Sequence, residues 1–131
     1  MIIIQIINNN TVVVTTSDEL KQAVSEDNNY NCIYLGSDIT ATSGFVINSN
    51  KAKLIIDGTY NNKKYTYTNN LSSEETVIKA CTTNKIIILK NMNIVSSHGY
   101  GVVYVPSHPN YSDVIVEYNN VNFKGIELSQ N

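Results

Sequence analysis

Arginine and tryptophan are absent from this sequence of 131 residues, and charged side chains make up only 15% of it. About a quarter of an ordinary globular chain is charged. The basic side chains are nine lysines and two histidines, and the net charge is −2. Because proteins hold duplex nucleic acid mainly by neutralising its phosphates with clustered Lys and Arg, we predict no nucleic-acid partner.

Cysteine is scarce as well, which limits covalent and metal-based stabilisation. Cys32 and Cys81 lie far apart, and neither has a second Cys or a His at the spacing of metal ligands. We expect two free or buried thiols, leave a disulfide open as the alternative, and predict no metal and no other cofactor.

Long hydrophobic segments are also missing. The apolar start of the chain, residues 1–7, is too short to span a bilayer and has neither the basic region nor the cleavage site of a signal peptide. We therefore predict no membrane span. If the protein is exported, its signal lies outside this chain.

Helical periodicity is limited to one segment, residues 17–26. Thr16 and Glu19 have the spacing of a capping box, and acidic residues follow in the first turn, where the helix dipole favours them. Apolar residues then recur at i, i+3 and i+4 and form one stripe, at Leu20, Ala23 and Val24.

What the sequence has in abundance is Ile and Val, in short runs separated by Asn, Gly, Ser, Thr and Lys. Hydrophobic residues make up 42% of the chain, and β-branched residues favour strands. Four segments align on a turn that ends in Gly or Asn, which tolerate a left-handed backbone. They are Ile33–Gly36, Ile55–Gly58, Ile88–Asn91 and Glu117–Asn120. Repeated short strands without crossover helices predict the coils of a parallel β-helix.

Each predicted coil has further strands after the turn. An apolar residue follows three positions on at Ile39, Ile94 and Phe123, whereas the second coil carries an insertion at Tyr60–Asn70. Later strands are predicted at Phe45–Ile47, Val77–Ile78, Val102–Val105 and Ile126–Leu128. The predicted fold is therefore all-β: a parallel β-helix of about four coils, forming a single domain over residues 1–131, with helix 17–26 capping its first end.

The turn asparagines indicate how the coils are held in register. Asn91 and Asn120 would lie above one another, and a side-chain amide can donate to one coil while it accepts from the next. The alternative is that asparagine simply fills loops. Because no comparable cap is predicted at the C-terminal end, we expect an incomplete stack that joins further coils or self-associates.

Residue types used in catalysis are present but isolated. His98 and His108 lie in loop-like segments, without an arguable Ser–His–Asp set. Asp57 is a conceivable acid, but Asp-Gly is also a common turn pair. Paired carboxylates and a Ca²⁺ loop are lacking. We therefore predict no catalytic residues and no enzyme activity.

Tyrosine gives the one indication of a ligand site. Tyr65 and Tyr67 alternate and would share one face of a strand, with Tyr60 nearby. Because exposed tyrosine rings can stack on sugars, these three are the predicted carbohydrate-binding residues. The alternative is that their rings pack in the core and their hydroxyls reach the surface.

Several stretches together resemble a known family, namely residues 17–24, 33–40, 55–60, 89–92, 100–103 and 116–125. That family is the pectate lyase-like adhesive domain of Gram-positive bacterial surface proteins. The resemblance implies a right-handed parallel β-helix on a secreted or cell-surface protein. It does not imply a lyase, because pectate lyases use acidic Ca²⁺ sites and typically an Arg base, and this chain has neither.

Two functions follow from these observations. The first is a non-catalytic adhesion or structural module of the cell surface, with a carbohydrate or host-surface ligand. The second is a carbohydrate-active β-helix protein that binds or cleaves an acidic polysaccharide.

Overall fold

The computed structural model describes residues 4–72, 78–81, 85–99, 101–106, 113–126 and 129–130. Strands make up 52% of the described residues, and this part of the chain has one helix, α1, at Ser17–Ser25. The all-β class is therefore confirmed. The strands are β1 Gln5–Asn8, β2 Thr11–Val14, β3 Cys32–Leu35, β4 Ile39–Thr40, β5 Phe45–Val46, β6 Lys53–Asp57, β7 Thr59–Tyr60, β8 Lys63–Lys64, β9 Thr66–Asn69, β10 Ile78–Lys79, β11 Ile86–Ser96, β12 Val103–Tyr104, β13 Ile115–Gly125 and β14 Ser129–Gln130.

The predicted helix is confirmed and ends one residue earlier than expected. Thr16 is its N-cap, since the Thr16 hydroxyl accepts a hydrogen bond from the N–H of Glu19 at 3.1 Å. The Glu19 carboxylate accepts from the N–H of Thr15 at 2.9 Å, one residue before the partner it has in a standard capping box. The apolar stripe is buried and packs against β2 and β5.

The longest run of parallel pairing joins β2, β3, β6, β11 and β13 in that order. β1 pairs antiparallel with β2 at the first edge of this run. Buried residues stack on buried residues, as Val14 does on Leu35 and Ile56 on Leu89. The run has five parallel strands rather than the four predicted, because the sequence alignment does not include β2.

The predicted register is confirmed for the later strands and is wrong by one residue for the first. Ile88 pairs with Ile55 and with Glu117, as the alignment predicts. Ile33, however, pairs with Ile56 and not with Ile55. A slip of one residue turns every side chain to the opposite face. Burial decides the register here, because Ile33 and Ile56 are both buried whereas Ile55 is partly exposed.

The glycines and asparagines at the turns serve different purposes. Asn91 and Asn120 have φ of 55°, the left-handed conformation that the sequence predicts. Gly36 and Gly58 do not adopt this conformation. At these two positions glycine is needed because a Cβ atom would be too close to a neighbouring strand. A Cβ atom on Gly58 would collide with the Cβ of Met92 and lie 2.9 Å from the carbonyl oxygen of Asn91. Glycine at this turn therefore permits a close approach of two strands.

A second group of parallel strands lies after the turn and consists of β4, β9 and the second half of β11, followed by β13. Tyr67 pairs with Ile39 on one side and with Ile94 on the other, and Ile94 pairs with Phe123. The expectation that the second coil lacks an inward residue here is therefore wrong, because Tyr67 fills that place. The insertion is reduced to a short antiparallel hairpin of β7 and β8 at residues 59–64.

A third group of short strands, β5, β10, β12 and β14, pairs in parallel in that order. β5, β10 and β12 correspond to three of the predicted later strands, although Val77 lies outside the described residues. β14 lies at Ser129–Gln130 and not at the predicted Ile126–Leu128, of which only Ile126 is described. With two antiparallel pairings beside the parallel groups, the sheets are mixed.

Two rows of side chains run across the stacked strands, and the predicted contact between Asn91 and Asn120 is confirmed. In the first ladder, Asn120 Nδ2 donates to Asn91 Oδ1 at 3.0 Å, and Asn91 Nδ2 lies 3.4 Å from both carboxylate oxygens of Asp57. The second ladder lies two residues further on. There the Nδ2 atoms again donate toward the earlier strand, from Asn122 to Asn93 at 3.1 Å and from Asn93 to the hydroxyl of Thr66 at 3.5 Å.

The core takes apolar side chains from all three strand groups and from α1, and two lysines are buried beside it. Lys51 Nζ donates to Asn28 Oδ1 at 2.7 Å and to the carbonyl of Tyr30 at 2.6 Å. Lys85 Nζ donates to the carbonyls of Lys51 at 2.7 Å and of Asn48 at 3.1 Å. These bonds connect the segments that lead into β3, β6 and β11. Burial lowers the pKa of both ammonium groups.

Candidate functional site

The three tyrosines predicted to bind carbohydrate lie in different environments. Tyr67 is 4% exposed, and burial raises the pKa of its phenol above the ordinary value. Its ring is stacked between Ile39 and Ile94 and does not form part of a surface, which corrects the expectation for this residue. Tyr65 is partly buried and packs against the same core.

Tyr60 lies on the outer face of the molecule beside a second tyrosine that sequence reasoning missed. The ring centroids of Tyr34 and Tyr60 are 5.5 Å apart, and the ring planes are tilted by 48°, within the range of favourable aromatic contact. Both side chains are partly exposed. The alternation in β3 contained the signal, because Ile33 and Leu35 point inward and Tyr34 between them must point outward.

The environment of this tyrosine pair disfavours ionisation of Tyr34. The pKa of the Tyr34 phenol is raised, first by the neighbouring Cys32, whose negative form would repel a phenolate, and then by partial burial and by Asp57. Cys32 and Cys81 are partly exposed and are not joined in a disulfide. Like any neutral phenol, the Tyr34 hydroxyl can both donate and accept hydrogen bonds.

The hairpin of β7 and β8 brings positive charge to the tyrosine pair. Asn61 and Asn62 have φ of 50° and 63°, and positive φ at both central residues is characteristic of a type I′ hairpin turn. Across the hairpin, Tyr60 pairs with Lys63 and Thr59 pairs with Lys64. Both lysines are exposed. Tyr60 and the two lysines thus lie in one short surface hairpin, in which Lys63 is the residue opposite Tyr60.

Residues in the described part of the chain also line two further grooves. One, of about 320 Å³, is lined by asparagines of residues 28–31 and 50 and by residues 51–53. Its amides are partly occupied within the protein, as Asn50 Nδ2 donates to Asp27 at 2.7 Å. The other, of about 370 Å³, is lined by Lys21, Lys79 and an exposed Val46, among others. The second groove combines positive charge with an apolar side chain.

The residues considered for catalysis that the structure describes, His98 and Asp57, take part in the packing and turns of the fold. His98 is fully buried, and its backbone N–H donates to Ser96 Oγ at 3.2 Å. Asp57 Oδ1 accepts from the N–H of Thr59 at 2.9 Å, a hydrogen bond typical of an Asp-Gly turn. His108 lies outside the described residues. Among the residues that are described, no three His, Cys, Asp or Glu side chains gather where they could hold a metal ion.

The comparisons with known proteins concern the chain as a whole. No helix in the described ranges has the length and hydropathy needed to cross a bilayer. No curated protein and no solved structure matches the chain. A sequence model of the pectate lyase-like adhesive domain matches residues 11–129, a span that begins with β2 and ends in β14. The chain therefore belongs to the family of pectate lyase-like adhesive domains.

Proposed function

We propose that this protein is a non-catalytic adhesion or structural module of the cell surface, built as a right-handed parallel β-helix in a single domain. The observation that carries the proposal is the match of the adhesive-domain family to residues 11–129. A secreted or surface-attached location accords with the adhesive character of that family.

The order of the strands supports the β-helical path. The chain passes three times through the same three strand groups in the same order: first with β3, β4 and β5, then with β6, β9 and β10, then with the two halves of β11 and β12. A fourth passage begins with β13 and reaches β14 in the third group. Successive passages pair in parallel and in register, as stacked coils of one solenoid do.

The absence of catalysis is part of the proposal and has its own experiment. The carboxylate of Asp57 accepts a turn bond, and the imidazole of His98 is enclosed in protein. We expect the protein to form no unsaturated sugar product from polygalacturonate, measured by ultraviolet absorbance with and without added Ca²⁺. The protein is used at a concentration at which a control lyase converts the substrate fully. Sustained turnover that disappears in the Asp57→Asn variant would overturn this part of the proposal.

Carbohydrate contact is the second candidate function, and the tyrosine pair favours it. Tyr34 and Tyr60 expose parts of two rings that can stack on the apolar face of a sugar, and Lys63 and Lys64 lie in the same hairpin. The ammonium groups favour a sugar that carries a carboxylate, sulfate or phosphate. The ligand class is therefore an acidic polysaccharide that is bound and not cleaved.

A glycan array compared across four variants tests this second function. Tyr60→Ala is expected to reduce binding of acidic glycans at least tenfold, whereas Tyr60→Phe retains the ring and most of the binding. Lys63→Ala with Lys64→Ala should abolish the preference for acidic over neutral glycans. If the Lys21→Ala, Lys79→Ala variant loses binding instead, the sugar binds in the groove that these two lysines line. No binding at millimolar sugar would contradict carbohydrate contact altogether.

A further inference from the structure

The far side of β13 carries partly exposed apolar groups and faces no second strand in the described part of the chain. β13 pairs with β11 along residues 115–125, and no other strand in the described part of the chain pairs with it. In a parallel strand, alternate backbone groups point to the two sides. Those that point away from β11 have no strand partner among the described residues. This surface of β13, together with its side chains, is termed the end edge.

The apolar side chains of β13 are less covered than their counterparts in the preceding strands. Those that point inward, Val116, Tyr118, Val121 and Phe123, pack against the core but are only partly buried. Their partners in β11 are buried to 2% exposure or less, and all of these except Met92 pair with a strand on both sides. A further strand on the end edge would remove the remaining apolar surface from water.

The first ladder fixes which hydrogen-bonding atom is presented at the end edge. It starts at Asp57, whose carboxylate oxygens accept hydrogen bonds. Asn91 must therefore direct Nδ2 toward Asp57 and Oδ1 toward Asn120. Asn120 in turn uses Nδ2 for Asn91 and leaves its Oδ1 on the outer side. The polarity of the row is thus set by one carboxylate three strands in.

The second ladder presents the same atom. Asn122 Nδ2 donates to Asn93 Oδ1 at 3.1 Å, so the Oδ1 of Asn122 also lies on the outer side. The end edge thereby offers two amide acceptors, two residues apart, in the continuation of rows that already exist between β11 and β13. The natural complement is a strand that supplies two side-chain amide donors at the same spacing.

We propose that the end edge is a docking site for a parallel β-strand of a partner polypeptide, with Asn at the two positions opposite Asn120 and Asn122 and apolar residues at the inward positions. The pattern is read from the existing pairing, in which β11 offers Asn91-Met92-Asn93 to β13. Binding by strand addition obtains affinity from main-chain bonds and specificity from alternate side chains. A second copy of the chain does not meet this pattern, because a symmetric pairing of two β13 strands runs antiparallel.

The experiment uses the full chain and a fluorescent peptide with the β13 sequence, IVEYNNVNFKG. We expect saturable binding by fluorescence anisotropy and slower hydrogen exchange of the backbone amides of residues 115–125. In a peptide with Asp in place of its sixth residue, a carboxylate oxygen faces Asn120 Oδ1 of the protein, and two acceptors cannot form a hydrogen bond. This peptide should bind at least tenfold more weakly at neutral pH. The control peptide has Asp in place of its fifth residue, outside both ladders, and should bind like the parent.

Variants of the protein complete the test. Asn122→Ala should weaken binding of the parent peptide. Asn119→Ala should not, because the Asn119 amide donates to Glu117 and takes no part in either ladder. Equal binding of the two Asp peptides, an absence of peptide binding, or a dimer that forms through residues 115–125 and excludes the peptide would each overturn the proposal. None of these outcomes depends on the glycan measurements, so this inference and the proposed function fail independently.

Discussion

At the scale of single residues, the turns of this protein illustrate how one sequence signal can have two physical causes. Asn91 supplies a left-handed backbone and a side-chain amide for the ladder. Gly58, aligned with it in sequence, supplies only the absence of a Cβ atom at a point where two strands nearly touch. Glycine and asparagine at these positions are therefore not interchangeable.

Replacement of Gly58 by alanine should destabilise the fold. The new Cβ would collide with Met92 and lie 2.9 Å from a backbone oxygen, so a strand must shift, at a cost of about 1–3 kcal/mol. Gly99→Ala is the matched control, since its Cβ would meet nothing within 4 Å, and it should change stability by less than about 0.5 kcal/mol. Urea unfolding measures both, and equal stability of the two variants would contradict the close approach.

The buried Lys85 should make stability depend on pH in the alkaline range. Burial lowers the pKa of this ammonium below its ordinary 10.5. Between the two values the unfolded chain binds more protons than the folded chain. The contribution of Lys85 to the free energy of unfolding therefore rises with pH up to about 10.5 and falls as the pH is lowered through the folded pKa.

Lys85→Met provides the measurement, because methionine keeps much of the length of the chain without the charge. Unfolding free energies of both proteins at pH 7 and pH 10 give a difference in which other titrating groups, including Tyr67, largely cancel. The free energy of unfolding of the parent protein, relative to that of the Lys85→Met variant, should be higher at pH 10 than at pH 7. If the difference stays constant, the ammonium is solvated to the same degree in the folded and unfolded states.

At the scale of elements, local signals were sufficient for α1 and for most strands, and non-local pairing decided the rest. The cap residue Thr16 and the spacing of the apolar stripe are visible in sequence. The pairing partner of Ile33 and the place of Tyr67 are not, because both depend on which side chains stack in the core. The sequence around Tyr67 reads the same whether this side chain faces solvent or is buried between two isoleucines.

The N-cap of α1 is the element whose energetics the sequence predicts most directly. Thr16→Ala removes the acceptor for the N–H of Glu19 and should cost about 1 kcal/mol of stability. Thr16→Ser retains the hydroxyl and should differ from the parent by less than about 0.5 kcal/mol. Urea unfolding of both variants is the measurement, and an alanine variant as stable as the serine variant would mean that the cap bond contributes nothing.

At the scale of the whole molecule, stacked strands contact only their neighbours, so the two ends of the stack need not be alike. The first end is covered, since β2 lies between β1 and β3 and the helix packs against it. At the other end β13, like β1, pairs with one strand among the described residues, but β13 belongs to the parallel run itself. On that side the ladders end in Asn120 and Asn122, and the inward apolar side chains of β13 are less buried than those of β2.

The same substitution at the two ends measures this asymmetry. Val14 and Val116 both point toward the core, but Val14 is fully buried and Val116 is only partly buried. Val14→Ala should cost about 2–3 kcal/mol through lost transfer energy and a cavity. Val116→Ala should cost about 1 kcal/mol, because part of its surface already contacts water. Equal losses in urea unfolding would mean that β13 is covered as completely as β2, and the open character of the end edge would then be wrong.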